Sequence, residues 1–164
     1  MGMLTTHKIS ADLYDDCFSL IAIHSNLEDY AITYAINSGC GLYLKRMKKD
    51  LHLDENKSFS VFNWDDEIND VYWTLISNKC EVEEETPSVG LFGNNISRRT
   101  DHLVKERKEV DYFLKVDTAD EAVFSQKIKA INKISKVITA YPLDTQNLKS
   151  KRNQKNSFQI KENL

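Results

Sequence analysis

Two segments of the chain each combine a β-strand pattern with a helix pattern, and they limit the possible fold more than any other feature. Residues 17–24 form a short apolar run, and helical spacing of apolar residues follows directly. Residues 110–117 alternate apolar and polar side chains, a second helical stripe follows, and residues 137–141 are typical of a closing strand. A period of two indicates a strand and a period of 3.6 indicates a helix. These segments therefore predict a fold in which two helices are connected to strands.

Each helix is predicted from residues suited to its N-terminus and from a stripe of apolar residues, and the first also from a glycine at its C-terminus. Ser25 and Glu28 have the spacing of a capping box, and Gly39 is suited to the left-handed conformation that ends many helices. The predicted buried stripe of this first helix consists of Leu27, Tyr30, Ala31, Tyr34 and Ala35. Thr118 and Glu121 form a second capping box. The buried stripe of the second helix consists of Phe124, Ile128 and Ile131.

Residues between these segments are predicted to be mainly strands. Residues 59–64 and 71–76 form a hairpin around the polar turn 65–70, and Val71, Trp73 and Leu75 share one face. Residues 79–107, which contain a run of glutamates, are expected to be a mobile excursion. The pattern predicts an α+β fold, with a mostly antiparallel sheet of about five or six strands and two helices on one face. A ferredoxin-like or ACT-like arrangement is the nearest common plan, and it leaves the opposite face free to meet a partner.

Length and charge narrow the class of protein. The chain has 164 residues and a net charge of −3. We predict one domain at residues 1–148 and a polar, basic, disordered tail at residues 149–164. The balanced charge gives no global attraction to nucleic acid. No membrane span or signal peptide is recognised and the three cysteines lie far apart, so a reduced, cytoplasmic protein is expected.

The candidates for a ligand site are His24, Ser25 and Asn26, where the first strand meets the first helix. A histidine beside a helix N-terminus can meet an anion or act as a general base. The alternative is a structural histidine followed by a simple helix cap. The chain has no glycine-rich loop that would let a phosphate approach the backbone closely.

No motif for catalysis, a metal or a cofactor is found, so none of these is assigned. The four histidines do not stand at metal-ligand spacing from one another or from a cysteine. The acidic turn at residues 65–70 departs from the EF-hand pattern, because Asp70 stands where glycine is required. Asp111, Lys115 and Asp117 share a strand face, either as a cluster near a cleft or as ordinary exposed ion pairs.

Two basic clusters, residues 45–49 and 149–155, are candidates for RNA contact. Neither contains the interleaved aromatic residues of an RNA-binding sheet, so nucleic acid is not expected as a partner. Charged residues at a sheet edge also deter aggregation, which accounts for the first cluster without a ligand.

The hairpin region concentrates aromatic residues on both of its faces. Both faces cannot meet the same core, so the rings left over are candidates for a protein interface, either with a different protein or in a homodimer. The candidate interface residues are Trp64, Tyr72, Trp73 and Phe92.

A short motif near the second strand–helix segment resembles that of a known family. Glu106, Val110, Asp111 and Tyr112 match the signature of the IPExxxVDY family, a bacterial family of unknown function. Residues 20–30, 77–80, 137–141 and 148–151 are similar to the same family, whereas Val104 and Lys105 stand where its Ile-Pro would be. The resemblance implies a small intracellular protein and assigns no activity or catalytic residue.

The favoured function is therefore a non-enzymatic binding or adaptor protein that acts through protein contacts. An ACT-like sensor of small ligands is the first alternative. An enzyme that uses His24 and an RNA-associated protein rank below it.

Overall fold

The computed structural model describes residues 18–86, 95–117 and 120–144. Two α-helices, α1 (Asp29–Cys40) and α2 (Glu121–Asn132), and a 3-10 helix (Lys105–Arg107) lie within this part of the chain. Its strands are β1 (Ser19–Ser25), β2 (Lys45–Arg46), β3 (Leu51–Asp54), β4 (Lys57–Phe59), β5 (Val61–Asp66), β6 (Val71–Ser77), β7 (Lys79–Thr86), β8 (Asn95–His102), β9 (Tyr112–Asp117) and β10 (Val137–Leu143). The predicted tail at residues 149–164 lies outside the described residues.

The described strands form a six-stranded antiparallel sheet in the order β10-β1-β9-β6-β5-β2. β1 lies between β10 and β9, and it is antiparallel to both. β1, α1, β6, β9, α2 and β10 follow the order of a ferredoxin-like βαββαβ unit. Strands β3–β4 and β7–β8 pair as two further hairpins. The predicted α+β class, with an antiparallel sheet and two helices over one face, is confirmed.

α1 packs on the sheet through aliphatic side chains and not through the predicted tyrosine stripe. Ile32, Ile36 and Cys40 are buried in the core beneath the helices. Tyr30 and Tyr34 are exposed instead. The predicted stripe is wrong because two opposite sides of α1 carry large side chains spaced four residues apart. The isoleucines can be buried without any hydrogen-bond partner, whereas a buried tyrosine hydroxyl needs one.

The predicted ends of α1 are also wrong. β1 continues through Ser25, so α1 begins only at Asp29, and its N-cap Glu28 makes no side-chain capping bond. At the other end Gly41, and not Gly39, takes the left-handed conformation with a φ of 64°. The extension of β1 moves the start of the helix beyond the predicted capping box.

α2 shows the predicted stripe with a different cap. Ile131 is buried, and Phe124 and Ile128 pack half-buried against the same core. The N-cap is Asp120, whose carboxylate accepts hydrogen bonds from two first-turn amides. The predicted cap, Thr118, lies outside the described residues.

The opposite face of the sheet is covered over much of its area by the chain itself. Phe59 of β4, Cys80 and Val82 of β7, and Val104 are buried in a second core with residues of β1, β6 and β9. The prediction of a mobile excursion is wrong for residues 79–86 and 95–107, since β7 and β8 pair along their whole length as a regular antiparallel ladder, while residues 87–94 lie outside the described residues. The expectation of a free opposite face fails for the same reason. The glutamates of β7 alternate with Cys80 and Val82, which is the pattern of a half-buried strand.

Candidate functional site

A polar groove of about 600 Å³ lies between the start of α1 and the junction of β6 and β7. Ser25 and Asn26, both predicted ligand residues, line this groove. His24, the third predicted residue, points to the other face of the sheet, because successive side chains of β1 alternate. Its Nε2 lies 3.2 Å from the hydroxyl of Tyr141. The predicted trio is therefore divided between two faces, and His24 is not part of the groove.

The two cations that line the groove are each paired with a carboxylate. Lys79 forms an ion pair with Asp111, and Arg46 forms one with Asp50. Asp50 also accepts a hydrogen bond of 2.9 Å from Ser58. The bond from Arg46 holds the pKa of Asp50 below its ordinary value. These pairs leave little unmet positive charge in the groove to attract an anion.

Glu28 and Asp29 stand at the N-terminus of α1 and line the same groove. The helix dipole makes this end partly positive, and two carboxylates already compensate it. A phosphate that entered the groove would meet these carboxylates. The arrangement therefore opposes the anion site that the sequence suggested.

Asp111 and Tyr112, which carry the family resemblance, fasten the connection between β1 and α1. The Asp111 carboxylate accepts a hydrogen bond of 2.9 Å from the Ser25 amide, and the Tyr112 hydroxyl donates one of 2.6 Å to the Leu27 carbonyl. Burial raises the pKa of Tyr112 well above the ordinary tyrosine value, so the hydroxyl remains a donor. Val110 is buried in the second core. The contacts of these residues are structural.

Asn78 occupies the corner between β6 and β7 and is completely buried. Its side-chain amide donates to the carbonyls of Arg107 and Val110, each at 2.8 Å, and its carbonyl oxygen accepts from the Val104 amide at 2.8 Å. One side chain thus holds the whole segment that leads from β8 into β9.

Lys115 and Asp117 form an ion pair with an N–O distance of 3.1 Å. The predicted third member, Asp111, contacts Lys79 and the β1–α1 connection instead. The predicted cluster of three charges is therefore not formed.

A group of exposed aromatic side chains lies on the outer side of α1 and beside β5. We call Tyr30, Tyr34, Tyr43 and Trp64 the tyrosine surface. The three tyrosines are 65%, 75% and 66% exposed, in that order, and Trp64 is half-buried. Tyr43 packs edge-on against Trp64 with ring centroids 5.4 Å apart, and Tyr30 packs edge-on against Phe62 at the same distance. The exposed parts of these rings amount to roughly 400 Å² of surface.

Of the predicted interface residues that the structure describes, Trp64 alone lies on the tyrosine surface. Trp73 is buried in the core beneath the helices, and this ring cannot serve as an interface in the folded chain. Tyr72 lies half-buried on the opposite face, where its hydroxyl accepts a hydrogen bond of 2.6 Å from Asn63. Phe92 lies outside the described residues. Sequence reasoning missed Tyr30 and Tyr34 as surface residues because it placed them in the core.

The described residues contain no group of three or more His, Cys, Asp or Glu side chains that could hold a metal ion. In the acidic turn, Asp66 accepts a hydrogen bond of 2.7 Å from the side-chain amide of Asn69 and closes the turn itself. Within the described part of the chain, no helix has the length and apolar character needed to cross a membrane.

Comparison with known proteins finds no matching family model, curated protein or solved structure. Membership of the IPExxxVDY family therefore stays a prediction, supported by the sequence motif alone.

Proposed function

We propose that this chain is a non-enzymatic binding protein that contacts a partner protein through the tyrosine surface. The observation that supports this proposal most directly is the exposure of three tyrosines, at 65%, 75% and 66%, two of which stand one helical turn apart on α1. Tyrosine, tryptophan and arginine contribute most of the binding energy in protein interfaces. A monomer gains nothing from leaving so much aromatic area in water, whereas a partner that covers it removes that area from solvent.

Tyr30 and Tyr43, two of the three exposed tyrosines, are held in place before any partner arrives. Tyr30 rests on Phe62, Tyr43 rests on Trp64, and the guanidinium of Arg46 lies 5.3 Å from the centroid of the Phe62 ring. Ordering a flexible side chain costs free energy during association, so rings that are already packed reduce this cost. Their hydroxyls can also donate hydrogen bonds to a partner backbone.

Site-specific photo-crosslinking tests this proposal. A photoreactive residue placed at Tyr34 or Tyr43 of the full chain should give a discrete crosslinked protein in cells. The matched control is Ile138, which is 67% exposed and lies on β10, at the other edge of the sheet. Failure to obtain an adduct at Tyr34 and Tyr43, or an equal yield at Ile138, would refute the proposal.

A small-ligand sensor is the second candidate, because the groove beside α1 has the volume of a ligand pocket. Both cations that line it are already paired with carboxylates, so we rank this function below protein binding. Thermal-shift measurements with amino acids and nucleotides test it. A stabilised chain, with the effect lost on Ser25→Ala, would favour the sensor.

A further inference from the structure

The sheet edge beside the tyrosine surface carries charges of opposite sign at its two ends. Lys45, Lys48 and Lys49 are exposed in and after β2. The acidic side chains Asp65, Glu67 and Asp70 are exposed at the end of β5 and in the turn that follows. Among the described residues, none of these six side chains forms an ion pair. This edge therefore has three uncompensated cations and three uncompensated anions.

The two groups of charge are separated along β5 by the aromatic rings. β2 is antiparallel to β5, with Lys45 opposite Asn63, and the Met47 amide bonds the Val61 carbonyl at 2.9 Å. Lys48 and Lys49 consequently lie beyond the start of β5, while the acidic turn lies beyond its end. The six residues of β5 span roughly 17 Å at about 3.4 Å per residue. Lys45 stands beside the middle of β5, so Lys48 and Lys49 form the basic end, and the order along this edge is basic, aromatic, acidic.

We propose that the partner of the tyrosine surface is a second copy of this chain, related to the first by a two-fold axis that passes near Tyr43 and Trp64. This inference rests on the proposed protein-binding function. In a two-fold dimer the same patch meets itself in the opposite direction. Lys48 and Lys49 of each copy would then face the acidic turn of the other, and the tyrosines would pack together at the centre.

The available area fits such a dimer. A stable interface buries about 800 Å² on each partner, which is roughly twice the aromatic area of the tyrosine surface. The flanking lysines, the acidic turn and the fully projecting Ile68, which is 94% exposed, supply the remainder. An apolar centre with a charged rim is the usual composition of an interface.

The two edges of the six-stranded sheet differ in how readily they can meet a partner. β10, at the far edge, contains Pro142, which lacks an amide and disfavours further strand pairing. At the near edge β2 covers only Asn63 and Phe62 of β5. Within the described residues no strand covers Trp64–Asp66 on that side, so the near edge is open to a partner.

Sedimentation equilibrium of the full chain tests the dimer. The wild-type chain should associate at micromolar concentration, and added salt should weaken the association. Two double variants reverse the charge at one end of the edge each, and each should raise the dimer Kd about tenfold or more. The first is Lys48→Glu with Lys49→Glu, and the second is Asp65→Lys with Glu67→Lys. An equimolar mixture of these two double variants should associate again, because reversed charges then face each other with opposite sign. The control is Lys105→Glu with Lys108→Glu, both exposed and near the base of the β7–β8 hairpin, which should leave the Kd unchanged.

Circular dichroism of each variant shows that it is folded, and Tyr34→Ala provides an uncharged test because its side chain is highly exposed. This substitution should also raise the Kd about tenfold or more. A wild-type chain that stays monomeric would overturn the dimer, as would variants that dimerise like wild type or a mixture that fails to recover. Crosslinks from Tyr34 to a different protein would then keep the proposed function while refuting the second copy. Their complete absence would refute both.

Discussion

Asn78 should be among the most sensitive positions of the fold, because one buried side chain satisfies three backbone groups. Replacement by alanine removes the bonds to Val104, Arg107 and Val110. The Arg107 carbonyl keeps a bond of 3.1 Å from the Val110 amide, so the Val104 amide and the Val110 carbonyl bear most of the loss. An unsatisfied buried polar group costs about 1–3 kcal/mol, so the two groups together give a destabilisation of about 2–6 kcal/mol. The free energy of unfolding of a folded domain is typically about 5–15 kcal/mol, so this loss would be a large fraction of it.

Asn132 provides a control with the same number of side-chain bonds in an exposed position. Its side chain bonds the amide and carbonyl of Ala140 and the carbonyl of Ile128. Asn132 is exposed and its partner Ala140 lies on an edge strand, so water can replace part of these bonds and Asn132→Ala should cost about 1 kcal/mol, less than Asn78→Ala. Urea denaturation followed by tryptophan fluorescence gives both values. Equal losses for the two variants, or a loss below about 1 kcal/mol for Asn78→Ala, would contradict the explanation by burial.

Three further predictions concern local features. Tyr112→Phe removes the bond to Leu27 and should cost about 1–2 kcal/mol in the free energy of unfolding. Since folding raises the pKa of Tyr112, wild-type stability should fall above about pH 10, where the unfolded phenol loses its proton and the folded one keeps it. Alkaline denaturation curves should show a steeper fall for wild type than for Tyr112→Phe, and parallel curves would contradict this. Gly41→Ala should cost about 1 kcal/mol because φ is positive, and Gly41→Asn should cost less in the same thermal or urea assay. Burial raises the pKa of the Cys40 and Cys80 thiols, so both should react with a thiol reagent only slowly until urea unfolds the chain.

The strands that are buried on both faces were the most predictable part of the fold. Val71, Trp73 and Leu75 of β6 share the helix-facing side as their alternation predicts, and Ile76 on the other side is also buried. The buried side of α1 was not predictable from spacing alone, because Ile32 and Ile36 compete with Tyr30 and Tyr34 at the same period. Only the sheet beneath the helix decides which pair is covered.

The site was less predictable than the fold, because its contacts join distant parts of the chain. Ser25 meets Asp111, and Asn78 meets Val110, across 86 and 32 residues of sequence. Sequence spacing reports neighbours within one helix or strand, and it cannot report pairs of this kind. The run of glutamates in β7 was interpreted as an irregular segment, although the alternation of Cys80 and Val82 with glutamates indicates a strand.

The placement of β1 has a consequence for how the chain folds during synthesis. β1 is the first described strand, yet both of its partners, β9 and β10, are made after every other described strand. Its hydrogen-bonding edges stay unoccupied while about 90 further residues are translated, which takes roughly 4–17 s at typical rates. During that interval Ile21 and Ile23 have no native sheet around them, so the nascent chain depends on slow, long-range pairing and on protection from aggregation.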